Sequence, residues 1–160
     1  MSKYFGGLFL VLTTFDMGIK QYVEETFKRG EKKATVIPGL EFRRVHNKGF
    51  FLDSLDKYPK IIKSVSAILG GMIAIYDYQL FTKRGKLREK LGMTILSAGA
   101  FSNIFDRLVR GYVVDYFGIK NSKLSKITAN LADVYIMAGS TILSAIKGKT
   151  EGRNGNTDKK

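Results

Sequence analysis

The sequence predicts a mainly α-helical membrane protein: a four-transmembrane-helix bundle with a small extracytoplasmic β-sheet between helices 1 and 2. Three observations carry this prediction. Four apolar blocks, at about 4–23, 61–81, 91–108 and 129–146, each approach the length that crosses a bilayer. Charged, mostly basic connections separate them. Acids and amides recur inside or beside the blocks, where an unpartnered carboxylate is costly and therefore implies a partner or a task.

Composition narrows the classes. The 160 residues suit one domain, expected over 1–147, with a disordered cytoplasmic tail over 148–160. A net charge of +13 is typical of nucleic-acid binders. Here the basic residues gather between apolar blocks instead of alternating with aromatics on one helical face, so no nucleic-acid partner is expected. There is no cysteine, which excludes a disulfide framework and a Cys-ligated zinc site. His46 is the only histidine and no nucleophile-elbow motif is present, which disfavours a Ser–His–Asp triad.

The first block, Tyr4 to Val23, follows Lys3 as a cleavable signal peptide would. No A-x-A site follows, however, and Asp16 and Lys20 occupy the place of a cleavage region, so a retained span is expected. Asp16 and Lys20 stand four residues apart and can neutralise each other on one helical face. Two environments suit such a pair: a soluble surface or the interior of a membrane bundle.

Residues 24–60 are a different material, with 9 basic and 6 acidic residues and both prolines. Thr35-Val-Ile, Pro38-Gly39 and Leu40 to Val45 read as strand, turn, strand. Asn47-Lys48-Gly49 reads as a second turn before Phe50, Phe51 and Leu52, which either plug the sheet or lie on the membrane surface. The second block is uncharged from Val65 to Tyr76, and Gly70-Gly71 permits close helix packing. Residues 82–90 then hold 5 basic residues and 1 acidic one. The third block turns polar only at Asn103, Asp106 and Arg107, and the fourth mainly at Asn130 and Asp133. Between them, Val109 to Thr128 is too short for a domain.

The density of basic charge in short loops orients the chain with both termini cytoplasmic. Asp106, Arg107 and Asp115 then fall at the outer end of the third helix. Asn130 and Asp133 fall at the outer start of the fourth, and Asp16 and Lys20 lie toward the outer end of the first. Polar residues of three spans converge at one depth. Hard-cation sites want more oxygens and no neighbouring lysine, so no metal is expected. Clustering at one side does not suit a proton path, which needs groups across the whole thickness. Asp115 and Asp133 suit hydrolysis: one ionised carboxylate takes a proton from water while the other donates to a carbonyl oxygen. The alternative is that both acids pair with Arg107, Lys20 or Arg110 to fix helix packing.

The same residues resemble a known pattern. Asp16-x-x-x-Lys20, Asn47-Lys-Gly49, Ala98-Gly-Ala-Phe-Ser-Asn103-Ile-Phe-Asp106-Arg107, Val113-Val-Asp115-Tyr and Asn130-Leu-Ala-Asp133 follow the order and spacing of the lipoprotein signal peptidases (signal peptidase II), which are membrane aspartic peptidases. The resemblance implies Asp115 and Asp133 as the catalytic dyad. It implies that Asn103, Arg107 and Asn130 hold the dyad and contact the substrate backbone. Asp16, Lys20, Asn47 and Gly49 are then further site residues, and Asp106 a supporting acid. It also implies cleavage of bacterial prolipoproteins just before the diacylglyceryl-cysteine, in the cell membrane, without metal or cofactor. A monomer in contact with membrane lipids is expected. The chain departs from the family at small residues: Phe50 and Phe51 replace two alanines, Ala98 and Ser102 replace glycines, and Ala129 replaces a phenylalanine. These departures imply a divergent paralogue with an altered substrate set.

Overall fold

In a computed structural model that describes residues 2–28, 30–48, 58–120 and 127–154, the apolar blocks form four helices. Helix α1 spans Ser2–Thr26, α2 Pro59–Thr82, α3 Leu87–Phe105 and α4 Leu131–Asn154. Pro59 opens α2, where its missing N–H has no helical partner to lose. Helix α4 runs beyond residue 146, into the stretch expected to be a disordered tail. Helix α3 ends three residues before Leu108, and Asp106–Arg110 follow as a single π-helical turn. That turn closes at Gly111, whose positive φ of 84° suits a residue without a Cβ; its N–H donates to the Asp106 carbonyl at 3.0 Å.

The sheet is larger than expected. It has four antiparallel strands in the order β1 (Lys32–Ala34), β2 (Leu40–Asn47), β3 (Val113–Ile119) and β4 (Thr128–Ala129). Two strands come from the α1–α2 connection and two from the α3–α4 connection, so the sheet is not confined between helices 1 and 2. Pro38-Gly39 does form a turn, with Gly39 at φ 83° and the Leu40 N–H bonded to Ile37 O at 3.1 Å. The strand before it, however, is Lys32–Ala34 and not Thr35–Ile37. The Thr35 hydroxyl donates to Leu40 O at 2.9 Å and accepts the Ile37 N–H at 3.2 Å, which draws that segment into the turn.

Pairing between β2 and β3 slips between Phe42 and Val45, so Arg43 and Arg44 together face Tyr116. Val114 and Tyr116 pack with Val23 and Phe27 at the end of α1, and Phe42 stacks on Tyr116 at 6.2 Å. Strand alternation then sends Asp115 to the opposite face.

The helices touch most closely at small residues of α3 and α4. A Cβ on Gly99 would meet Ala132 O at 2.3 Å, and one on Gly139 would meet Gly92 O at 2.5 Å. Gly71 faces open space and Gly70 makes only an ordinary contact with Ile104, so the expected close packing lies on α3 and α4 instead.

Burial is inverted relative to a water-soluble protein. Asp16 and Lys20 are fully buried, whereas Val11, Phe15, Ile68, Met72 and Met137 are 60–70% exposed. Among the described residues, only α2 is long and apolar enough to cross a membrane by its own composition. The polar residues carried by α1, α3 and α4 lower their mean hydropathy.

Candidate active site

The start of α4 organises the site. Asn130 caps the helix and Asp133 sits three residues on. The Asn130 Oδ1 accepts the Asp133 N–H at 3.0 Å, and the Asp133 carboxylate accepts the Asn130 N–H at 3.0 Å. This is a reciprocal capping box with an aspartate in the place usually held by Glu or Gln. The other two leading amides are also matched: Leu131 N–H donates to the Tyr116 hydroxyl at 2.9 Å and Ala132 N–H to Asp16 Oδ1 at 3.2 Å.

Asn130 also joins the two acids. Its Nδ2 donates to Asp115 Oδ1 at 2.9 Å and to Asn103 Oδ1 at 3.2 Å. Asn103 in turn donates from Nδ2 to Asp133 Oδ1 at 2.8 Å. Each amide thus turns its oxygen to donors and its nitrogen to acceptors, which fixes both orientations. The second oxygen of Asp115 accepts Thr128 Oγ1 at 2.8 Å and Asn47 Nδ2 at 3.2 Å. Burial foremost, and then the negative charge of Asp133, raise the Asp115 pKa above the usual carboxylate range, against the Thr128 and Asn47 hydrogen bonds.

Beneath this pair lies a second charged layer. Lys20 Nζ reaches Asp16 at 2.9 Å, Asp106 at 3.1 Å, Ser102 Oγ at 2.9 Å and Asn103 Oδ1 at 2.8 Å. The interior of the bundle, not a soluble surface, is therefore where the Asp16–Lys20 pair sits. Asp16 also accepts Ser102 Oγ at 2.5 Å and the Tyr116 hydroxyl at 2.7 Å. Burial and the neighbouring Asp16 charge push the Tyr116 phenol far above its ordinary range, so it stays protonated and donates. Asp106 accepts the Val114 N–H at 3.3 Å and lies 3.4 Å from Arg110 Nε. Arg107 is within electrostatic reach of Asp133, Asp115 and Asp106.

Asp16, Lys20, Asn47, Asn103, Asp106, Arg107, Asp115, Asn130 and Asp133 are thus brought together. Gly49, Phe50 and Phe51 lie outside the described residues. Sequence reasoning did not single out Tyr116, Thr128 or Ser102 as site residues. Tyr116 had a usable signal, a phenol within an apolar strand beside Asp115. Ser102 counted only as a replaced glycine, yet its hydroxyl ties Lys20 to Asp16. Thr128 had no signal. Among the described residues, no group of three or more metal-binding side chains converges.

Fold and site together define a class: a helical bundle capped by a sheet, with a buried carboxylate on a strand and a half-buried one at a helix start, bridged by one asparagine. The chain belongs to the signal peptidase II family, whose pattern, described as Signal peptidase (SPase) II, matches residues 8–147. Among its relatives, the lipoprotein signal peptidase of Allorhizobium ampelinum is 34% identical over 133 residues, which cover 81% of this chain and 78% of the relative. That of Sinorhizobium fredii is 31% identical, covering 81% and 77%. That of Fusobacterium nucleatum is 29% identical, covering 85% and 81%. A solved structure of a bacterial membrane enzyme shares the fold with a TM-score of 0.78, at 24% identity over 94% of this chain and 91% of its own. A second scores 0.74 at 23% identity, covering 90% and 92%.

Proposed function

We propose that this chain is an aspartic endopeptidase of the bacterial cell membrane. It removes the signal peptide of prolipoproteins on the N-terminal side of the diacylglyceryl-cysteine, with Asp115 and Asp133 as the dyad. The observation that carries this reading is the bridge through Asn130, which binds Asp115 directly and Asp133 through the capping box. The names of the relatives supply the substrate class.

The charge balance supports a shared proton. Four carboxylates (Asp16, Asp106, Asp115, Asp133) face three cations (Lys20, Arg107, Arg110). One proton on the dyad makes the cluster neutral, and the two acids titrate as a unit. The ionised member takes a proton from a water molecule as its oxygen attacks the scissile carbonyl carbon. The protonated member donates to the carbonyl oxygen, so the tetrahedral intermediate forms without a full oxyanion. Collapse re-forms the C=O and breaks the C–N bond: one acid passes its proton to the leaving amine while the other takes back the diol hydroxyl proton, which restores the singly protonated dyad. Arg107 and Asn47 stand beside the dyad and orient the substrate backbone; the second layer around Lys20 holds Asn103 in place.

The inverted burial supports four spans, with the polar groups turned inward and the apolar ones toward lipid. Four spans put both termini on one side, which the basic short loops make the cytoplasm, and the dyad then lies near the outer surface, where a lipid-anchored substrate presents its scissile bond.

The test is cleavage of a diacylated prelipoprotein peptide by purified protein. Asp115→Asn and Asp133→Asn are each expected to lower turnover by about a thousandfold or more while the protein still accumulates in membranes. One observation favours a second reading, a non-catalytic lipopeptide-binding protein of the same fold: Asp133 already has a structural task in the capping box. Lipopeptide binding by the unaltered protein without any turnover would establish that reading and end the first.

A further inference from the structure

The opposite end of the bundle carries a cavity. Phe5 of α1, Phe81 of α2 and Leu87 of α3 line this cavity of about 400 Å³, together with Lys83, Arg84 and Lys90. The two rings meet edge to face at 5.6 Å. Lys90 Nζ lies 5.6 Å from the Phe81 ring and donates to Lys83 O at 2.6 Å, which fixes one cation beside the apolar wall. Lys83 and Arg84 are exposed at its mouth. Among the described residues, no carboxylate lines this cavity. The nearby Glu89 is held by Lys86 at 2.8 Å, and Asp77, in an adjoining cavity that also touches Phe5 and Phe81, is bonded to Ser97 at 2.7 Å.

An aromatic wall under a cluster of cations matches an amphiphile with a negative head. The site's depth says which one. Leu87 and Asn103 are 16 residues apart on α3, roughly 24 Å along its axis, which approaches the thickness of the hydrocarbon core. We propose that the α2–α3 corner binds an anionic phospholipid from the leaflet opposite the carboxylate pair. Its phosphate sits among Lys83, Arg84 and Lys90, and its acyl chains lie along Phe5, Phe81 and Leu87. This inference rests on the reading of the chain as a membrane-spanning protein.

The experiment is native mass spectrometry of the full chain in neutral detergent, with phosphatidylglycerol and phosphatidylcholine supplied together. The unaltered protein is expected to retain phosphatidylglycerol selectively. The double variant Lys83→Gln, Arg84→Gln is expected to lose about twenty-five-fold in that selectivity, from about fivefold for each charge near a lipid surface. The control variant Lys32→Gln, Lys33→Gln removes equal charge from exposed positions on the sheet and is expected to keep it. Equal retention of both lipids overturns the proposal, as does an equal loss in both variants. Displacement of the lipid by excess inorganic phosphate alone would assign the site to free phosphate instead. Recovery of the protein from salt-washed supernatant would defeat the membrane reading itself. Recovery from the membrane pellet without lipid selectivity would defeat only this inference.

Discussion

Asp115 accepts hydrogen bonds from three side chains, yet its charge is disfavoured because burial and Asp133 outweigh them. The sign of the pH effect follows. An acid whose pKa is higher folded than unfolded binds its proton more tightly in the folded state, so stability falls as pH rises from the usual carboxylate range through the raised value. Thermal unfolding in detergent is therefore expected to show a midpoint that declines across that window. Asp115→Asn should flatten the decline and, under the proposed function, remove cleavage. Tyr116 gives a second residue-level prediction. Its hydroxyl serves both Asp16 and the Leu131 N–H, so Tyr116→Phe takes one of several donors from buried Asp16 and the acceptor from the part-buried Leu131 N–H. A loss of about 1–3 kcal/mol is expected in denaturant titration. Residues like Asp16, Lys20 and Asp133 were legible in the sequence because a charge inside an apolar block is costly and so stands out. Thr128 and Ser102 were not, because a hydroxyl there costs little and looks like any other small side chain.

At the scale of elements, the helices were legible as apolar blocks of bilayer length, and their ends were less so. Helix α3 gives way to a π-helical turn at Asp106, and no hydrophobic period announces that change. The two strands of the α3–α4 connection were missed because each is short and β3 is buried almost throughout, which hides its alternation. Gly70-Gly71 are the most visible glycines, but close approach occurs at Gly99 and Gly139, because it depends on which helix faces meet. Gly139→Ala would press a methyl group into the α3 backbone and is expected to cost about 1–3 kcal/mol or more. Gly71→Ala meets nothing and is expected to stay within about 0.5 kcal/mol of the unaltered protein. Paired thermal melts of the two variants in one detergent check the contrast.

For the molecule as a whole, the bundle buries the charges of Asp16, Lys20 and Asp106 and turns large apolar side chains such as Val11, Ile68 and Met137 outward. Average hydropathy conceals this, because the polar residues that fill the interior cancel the apolar residues that face outward. Only the position of each charge within its block revealed it. Cell fractionation is expected to leave the protein in the membrane pellet after washing with high salt or alkali, and to release it only with detergent. Release by salt would mean that the net charge of +13 alone holds it to the surface.

Asp115 rides on β3 and Asp133 on the first turn of α4, so the gap between the two carboxyl groups belongs to a joint between sheet and bundle. Neither body sets that gap alone. If the pair is the proposed dyad, a compound wedged under the edge of the sheet would disarm it by a small tilt, without ever touching either acid. Under the proposed function, such a compound would spare both acids, and substitutions that escape it would fall along β2 and β4 instead.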